Sequence, residues 1–329
     1  MTNNGVSKRE PYTTALSQWM NTFTDLAVRD YEENGIEFDE YSRTCARNAM
    51  RGIIMYVSDS GKDPNSIDKN SLYNTVLTCA SLKLNANSEP AEVYFTTRNK
   101  NIGGKGEAKW VTVVEPGIMT PGLLSLIRTF GVGVQEVRPV WVVKEGDEYT
   151  PMKMVGVEAT PPTWVQNGVS QKVVRVVVPI LINGEWQYFT AERESVRINL
   201  MSHIRNNMLN ETFGICKDRY HATPDQLAAI KAKKQEILDI LYTCETVDDI
   251  IKCDTAKPYL SEAWLGSTES MIATKLTKNA TAKISKDYNQ IAKRSYTQLD
   301  EVYKASREEI EENQNSEVFI EIPDDEVVG

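Results

Sequence analysis

Two β-rich runs, Glu92-Val93-Tyr94-Phe95-Thr96-Thr97 and Trp110-Val111-Thr112-Val113-Val114, flank the twelve residues Arg98 to Lys109, and this stretch decides how the chain is read. β-branched and aromatic residues dominate both runs, as in strands packed on a pleated surface. The segment between them holds Gly103, Gly104 and Gly106, which suit a long hairpin loop, and it sets Arg98, Lys100, Lys105 and Lys109 against the single acid Glu107. The stretch therefore predicts a β-hairpin with four bases toward its tip.

Upstream, the hydrophobic period is helical. Helices are expected over Tyr12–Glu33, Tyr41–Val57 and about Ser71–Lys83, punctuated by Gly35 and by Gly61 to Pro64. Downstream, Leu123, Leu124, Leu126 and Ile127 mark a helix over about Pro121–Phe130 that Gly131 and Gly133 end. Strands follow at Val134–Lys144, Met152–Ala159, Lys172–Ile182 and Trp186–Ala191, the last two joined by an Asn183-Gly184 turn. Helices return at Arg193–Leu209, Pro224–Tyr242, Val247–Lys252, Thr268–Lys283 and from Ser285 to about Glu311. The fold class is α+β: N-terminal helices, an antiparallel sheet with a long basic hairpin and one embedded helix, then C-terminal helices. The expected organisation is an N-terminal helical segment over 1–70, a β-rich core over 71–217, a C-terminal helical region over 218–311 and an acidic disordered tail over 312–329.

At 329 residues, 41% hydrophobic and 25% charged, the composition is that of a soluble globular protein. The longest apolar stretch, Val173 to Ile182, has ten residues and contains Arg175, so no membrane span is expected. The polar N-terminus lacks the apolar core of a secretory signal, which points to the cytoplasm. Five cysteines without a CxxC pair suit small buried thiols in a reducing compartment, and His203 and His221 lack partners at zinc-ligand spacing. Neither GxxxxGK[ST] nor GxGxxG occurs, so no nucleotide cofactor is expected and no other cofactor or metal either. From Asp300 onward eleven acids stand against two bases, and this tail alone holds the net charge of -9. The body before it is balanced, which leaves room for a basic face. Besides the hairpin, the stretch from Thr268 to Leu299 is locally basic, with Lys275, Lys278, Lys283, Lys286, Lys293 and Arg294.

Three groups of residues carry a resemblance. Cys79-Ala80-Ser81-Leu82-Lys83-Leu84-Asn85 leads through a polar connector into Pro90-Ala91-Glu92-Val93-Tyr94; Gly122-Leu123-Leu124-Ser125-Leu126-Ile127-Arg128-Thr129-Phe130-Gly131 follows the second strand; and Trp264, Met271, Lys275, Lys278, Lys283 and Ser285 come in that order near the other end. In this order and spacing the chain resembles the RecT and Red-beta family of phage-type single-strand annealing proteins, over about Ser71 to Ser285. Met119-Thr120-Pro121 departs from the family's glycine-aromatic-lysine before the second group. The resemblance implies a recombinase without a catalytic site that binds and anneals single-stranded DNA without ATP and works as a homo-oligomer, ring or filament. It also implies that the helical region after about Asp218 recruits a single-strand binding protein or a partner exonuclease.

Annealing needs no nucleophile or general acid. Its barrier is phosphate repulsion and the disorder of single strands, and a row of cations that holds one backbone extended lowers both. The candidate DNA contacts are Arg98, Lys100, Lys105, Lys109, Trp110, Arg128, Lys172, Arg175, Lys275, Lys278 and Lys283, with Tyr94 as a further aromatic. About four phosphate contacts per subunit imply a log-log salt slope near about -3. Each residue also has a plain structural role open to it: Trp110 and Tyr94 in a core, Arg128 capping its own helix, Lys172 and Arg175 facing solvent from an edge strand, and the late bases, Lys286, Lys293 and Arg294 among them, on a solvated helix face. Two other functions compete. Glu107-Ala108-Lys109 has the E-x-K form of a metal-dependent nuclease but no Asp between Asp68 and Glu107. A non-DNA-binding oligomeric scaffold is the other.

Overall fold

The computed structural model of the chain describes residues 15–33, 38–62, 66–101, 110–156, 158–217 and 222–299. It is mixed α+β with antiparallel strand pairs, helical at its N-terminal and C-terminal sides. In chain order the first elements are α1 (Ala15–Glu33), α2 (Glu40–Asp59), α3 (Lys69–Ser81), β1 (Val93–Asn101), β2 (Trp110–Ile118), α4 (Thr120–Phe130) and β3 (Val134–Val137). There follow β4 (Trp141–Lys144), β5 (Glu148–Thr150), β6 (Lys153–Val155), β7 (Glu158–Thr160), β8 (Thr163–Val165), β9 (Val173–Ile182) and β10 (Glu185–Glu192). There follow α5 (Arg197–Asn207), α6 (Pro224–Tyr242), α7 (Val247–Lys252), α8 (Glu262–Gly266) and α9 (Thr268–Thr281), and a last helix runs from residue 290 to the end of the described residues. It divides into two units, one formed by residues up to Pro139 with Pro179–Gln187 and Thr281–Leu299, the other by Val140–Val178 and Tyr188–Ala280.

In the first unit, Asp39 and Asp68 accept hydrogen bonds from Ser42 N (2.7 Å) and Ser71 N (2.8 Å) and so start α2 and α3. Phe23, Ala27 and Tyr31 of α1, Ala46, Ala49, Met50 and Ile53 of α2, and Leu72, Val76 and Leu77 of α3 form the apolar core together with Val93 and Phe95 of β1. Gly52 lets α2 approach β1, since a Cβ there would lie 2.7 Å from the Phe95 ring. The N-terminal half of α3 covers the free edge of β2: Asp68 N donates to Thr112 O (2.8 Å), Val114 N to Ser71 Oγ (3.1 Å) and Thr75 Oγ1 to Val114 O (3.0 Å). Pro121 in the first turn starts α4, and Met119 N bonds Glu92 O at 2.9 Å, so the helix begins where β1 begins. That approach requires Gly122, because any Cβ would meet Glu92 O at 2.2 Å.

β9 runs through both units, laddering with β3 over 180–182 in the first and with β4 over 173–177 in the second. It turns into β10 at Asn183 (φ 51) and Gly184 (φ 84), the left-handed pair that the Asn-Gly signal requires. Three expectations are corrected here. The strand over Val134–Lys144 is two strands, because Pro139 cannot donate to a ladder. The strand over Met152–Ala159 is the hairpin β6–β7, reversed near Gly156 (φ 63), and it nests inside a second hairpin, β5–β8. The last helix does not begin at Ser285 but at residue 290. Ser285 O and Asp287 N are committed to Val132 N (3.0 Å) and Phe130 O (2.8 Å), and Asn289 Oδ1 then accepts from Ala292 N at 2.8 Å to start helical winding.

Candidate functional site

The hairpin is continuous over nine residue pairs, from Val93↔Ile118 to Asn101↔Trp110. Val93 and Phe95 are buried, so the alternate residues Tyr94, Thr96, Arg98 and Lys100 share the opposite, exposed face about 7 Å apart in steps of two. Tyr94 is 48% exposed, and its ring lies over its cross-strand partner Gly117, where a Cβ would come within 2.1 Å of it. Trp110 closes the ladder 57% exposed. Both aromatics thus lie outside the core. Arg98 is held across the strands by Glu115, with Nε 2.9 and 2.8 Å from the two carboxylate oxygens and Nη2 2.8 Å from Oε1. Lys100 is exposed and makes no ion pair among the described residues. Lys105 and Lys109 lie outside the described residues, as does the whole Glu107-Ala108-Lys109 triplet.

Further bases of the same unit flank a backbone junction where α4 ends. The chain after α9 pairs with the α4–β3 connection through the Gly131↔Lys286 bridge. This brings Arg128, in the last turn of α4, and Lys283 to the two sides of one backbone junction. Both are exposed, and neither forms an ion pair among the described residues. Lys286 itself is half-buried, its Nζ donating to Ile284 O at 3.2 Å, and burial lowers its ammonium below the usual lysine range. It is no solvated helix face. Phe130 and Tyr288 of the same segments meet at a tilt with ring centroids 4.8 Å apart, and Tyr288 stacks on Tyr296 at 5.0 Å.

The second unit treats its candidates differently. Lys172 Nζ lies 3.2 Å from Asp248 Oδ2 and 3.5 Å from Glu145 Oε1, and the Asp248 contact holds its ammonium above the usual range. Arg175 pairs with Glu192 at 2.5 Å and stacks over the Tyr149 ring, its guanidinium carbon 4.1 Å from the centroid. It sits on β9, a central strand flanked by β10 and β4, and not on an edge. α9 carries Lys275 and Lys278 three residues apart on one side; Lys278 is exposed, and Lys275 is half-buried near His203. Trp264 is fully buried beside the His203 ring.

One charge centre was not expected from the sequence. Arg193 is buried, with 7% of its side chain exposed, and its guanidinium meets Glu269 Oε2 and Oε1 (both 2.9 Å), Asp248 Oδ1 (2.5 Å) and Val173 O (2.6 Å). Burial alone would raise the Asp248 carboxyl, but the hydrogen bonds from Arg193 and Lys172 outweigh it and hold Asp248 below the usual range. Nothing local marks Arg193, because its partners lie 55 and 76 residues away. Among the described residues no group of three or more His, Cys, Asp or Glu side chains is placed to hold a metal ion, and no helix is long and apolar enough to cross a membrane.

No family model, curated protein or solved structure matches the chain.

Proposed function

We propose that the protein binds single-stranded DNA through its phosphates and anneals complementary strands without ATP, as an oligomer and without a catalytic residue. One observation carries the reading. The segments that resemble the annealing family, Gly122–Gly131 and the stretch from Trp264 to Ser285, meet where each ends: residues 130–132 and 285–287, more than 150 positions apart, are joined by backbone hydrogen bonds, and Arg128 and Lys283 flank that junction, both exposed. Cations without carboxylate partners attract phosphates at little desolvation cost, and such contacts position a strand without reading its bases. Lys100 and Trp110 on the hairpin make a second station of the same unit, the lysine for phosphate and the indole for an unstacked base. Lys275 and Lys278 belong to the other unit and are proposed as phosphate contacts of that unit. Arg98, Lys172 and Arg175 are engaged by carboxylates and contribute less. The C-terminal helices are proposed to receive a single-strand binding protein or a partner exonuclease.

The test is an annealing assay on complementary labelled strands with ATP omitted and Mg²⁺ present. Duplex formation with intact strands is the expected result. Shortened strands point to the nuclease reading, and the lack of any gel shift at low salt points to a scaffold that does not bind DNA.

A further inference from the structure

The strand edges of this chain are not treated alike. α3 closes the outer edge of β2, whereas β10 has β9 as its one neighbour among the described strands. The turn sets which backbone groups of β10 face outward. Asn183 (φ 51) and Gly184 (φ 84) make a two-residue hairpin turn, so Ile182 and Glu185 form the closing hydrogen-bonded pair, and every second residue after Glu185 also bonds β9. Two contacts agree with that register: Arg138 N donates to Pro179 O (3.0 Å) on the far side of β9, and Arg175 meets Glu192 across the two strands at 2.5 Å. The N–H groups of Trp186, Tyr188, Thr190 and Glu192 therefore point away from β9, and none has a backbone partner among the described residues. Trp186, Thr190 and Glu192 are exposed and Tyr188 is half-buried. The strand holds neither Pro nor Lys, the residues that commonly guard a free edge, and its two charges, Glu185 and Glu192, stand at its ends.

We propose that β10 is an interface strand, pairing antiparallel with β10 of a second copy of this chain across a two-fold axis. Only outward residues can form hydrogen-bonded pairs across the new seam, which leaves few registers. With Tyr188 opposite Thr190 of the second copy, Trp186 falls opposite Glu192 of the second copy, and all the outward positions are paired at once. The neighbouring registers, with Tyr188 or Thr190 opposite itself, leave Glu192 or Trp186 without a partner. The side chains select the same register. Glu192 is set against a Trp186 ring over which Arg138 lies, its guanidinium carbon 5.4 Å from the centroid, so an acid approaches a base at both ends of the seam, although Glu136 also holds that Arg138 at 2.6 Å. At the centre Phe189 stands opposite Phe189 of the second copy, an aromatic pair at a position where cross-strand side chains come closest, and no like charges are opposed. The strand thus supplies the complement to its own edge. This inference rests on the proposed function only in taking the chain to be an oligomer; a two-fold contact closes a dimer, so a ring or filament needs a second, different contact.

The experiment measures the mass of the full chain by sedimentation over a micromolar concentration range, without DNA, for the parent and for Thr190→Pro. Proline at 190 removes an outward N–H and no bond to β9, so it spoils the edge and keeps the hairpin. The parent is expected to dimerise, and Thr190→Pro to dissociate at least about tenfold more readily with an unchanged thermal melt. A second arm mixes Tyr188→Cys copies with Thr190→Cys copies under mild oxidation, read by peptide mapping. Positions 188 and 190 are then expected to be disulfide-linked between copies in the mixture, and neither variant alone to link to itself at that position, because only the proposed register brings the two within disulfide range. The proposal is overturned if the parent is monomeric throughout, if a folded Thr190→Pro associates as tightly as the parent, or if the mixture gives no such link. Phosphate binding is read separately by gel shift, so a monomeric parent that still shifts single-stranded DNA removes this contact and the oligomer and leaves the DNA reading standing.

Discussion

Single residues set conditions that composition does not display. Gly122 is needed for its missing Cβ, which would otherwise strike Glu92 O at 2.2 Å. Gly122→Ala is expected to destabilise the first unit by about 1–3 kcal/mol, read as a lower denaturation midpoint; a change below about 0.5 kcal/mol contradicts the close approach. Arg193→Ala leaves Asp248 and Glu269 half-buried without their shared cation, and a loss of about 3–5 kcal/mol is expected in the same measurement. A variant as stable as the parent sinks that account of the charge centre. Burial, and after it the nearby Lys275 charge, hold the His203 imidazole below its usual 6.5. As the pH falls below 6.5 the unfolded chain takes up a proton that the folded chain, with its lowered imidazole, still resists. The stability contributed by neutral His203 is therefore complete above pH 6.5 and is lost as the pH falls through that window. An NMR titration should give a His203 midpoint under 6.5, and one at or above it refutes the burial argument.

Among the elements, the β1–β2 hairpin carries one station of the proposed chemistry, and its two described cations, Arg98 and Lys100, differ in what surrounds them. Glu115 competes with DNA for Arg98, so Glu115→Gln should tighten single-strand binding at low salt by roughly threefold, about 0.7 kcal/mol. Weakened binding would show that the Arg98–Glu115 pair supports the site instead. Trp110→Ala should cost about 1–3 kcal/mol of binding if its exposed indole stacks on a base, measured by anisotropy of a labelled oligonucleotide. Unchanged affinity makes Trp110 a bystander. The hairpin was legible in the sequence because alternation, β-branching and a glycine-rich connection agree; the same holds for α2, α3 and the Asn183-Gly184 turn. What was not legible rests on distant partners. Ser285–Asp287 has helical composition but gives its backbone to residues 130–132, and the exposure of Trp110 and Tyr94 depends on where the packing stops, which period alone does not tell.

At the scale of the whole molecule, each unit draws on separate stretches of chain: the last described residues, Thr281–Leu299, return to the N-terminal unit, where Ile291 and Ala292 join its core. This return brings Lys283 beside the end of α4, and spacing along the chain could not reveal it. The resemblance supplied Arg128 and Lys283 as separate candidates; the backbone junction that both flank and the carboxylate partners of Arg98, Lys172 and Arg175 became visible only in the fold. The most direct measurement is the salt dependence of single-stranded DNA affinity for the parent and for the triple variant Lys100→Ala, Arg128→Ala, Lys283→Ala. Each phosphate contact adds about -0.7 to the log-log slope, so the variant's slope should be shallower by about 2, with weaker binding for every strand sequence. A triple variant with the parent's slope and affinity, or a parent that does not bind at low salt, contradicts the proposal that these cations hold the strand.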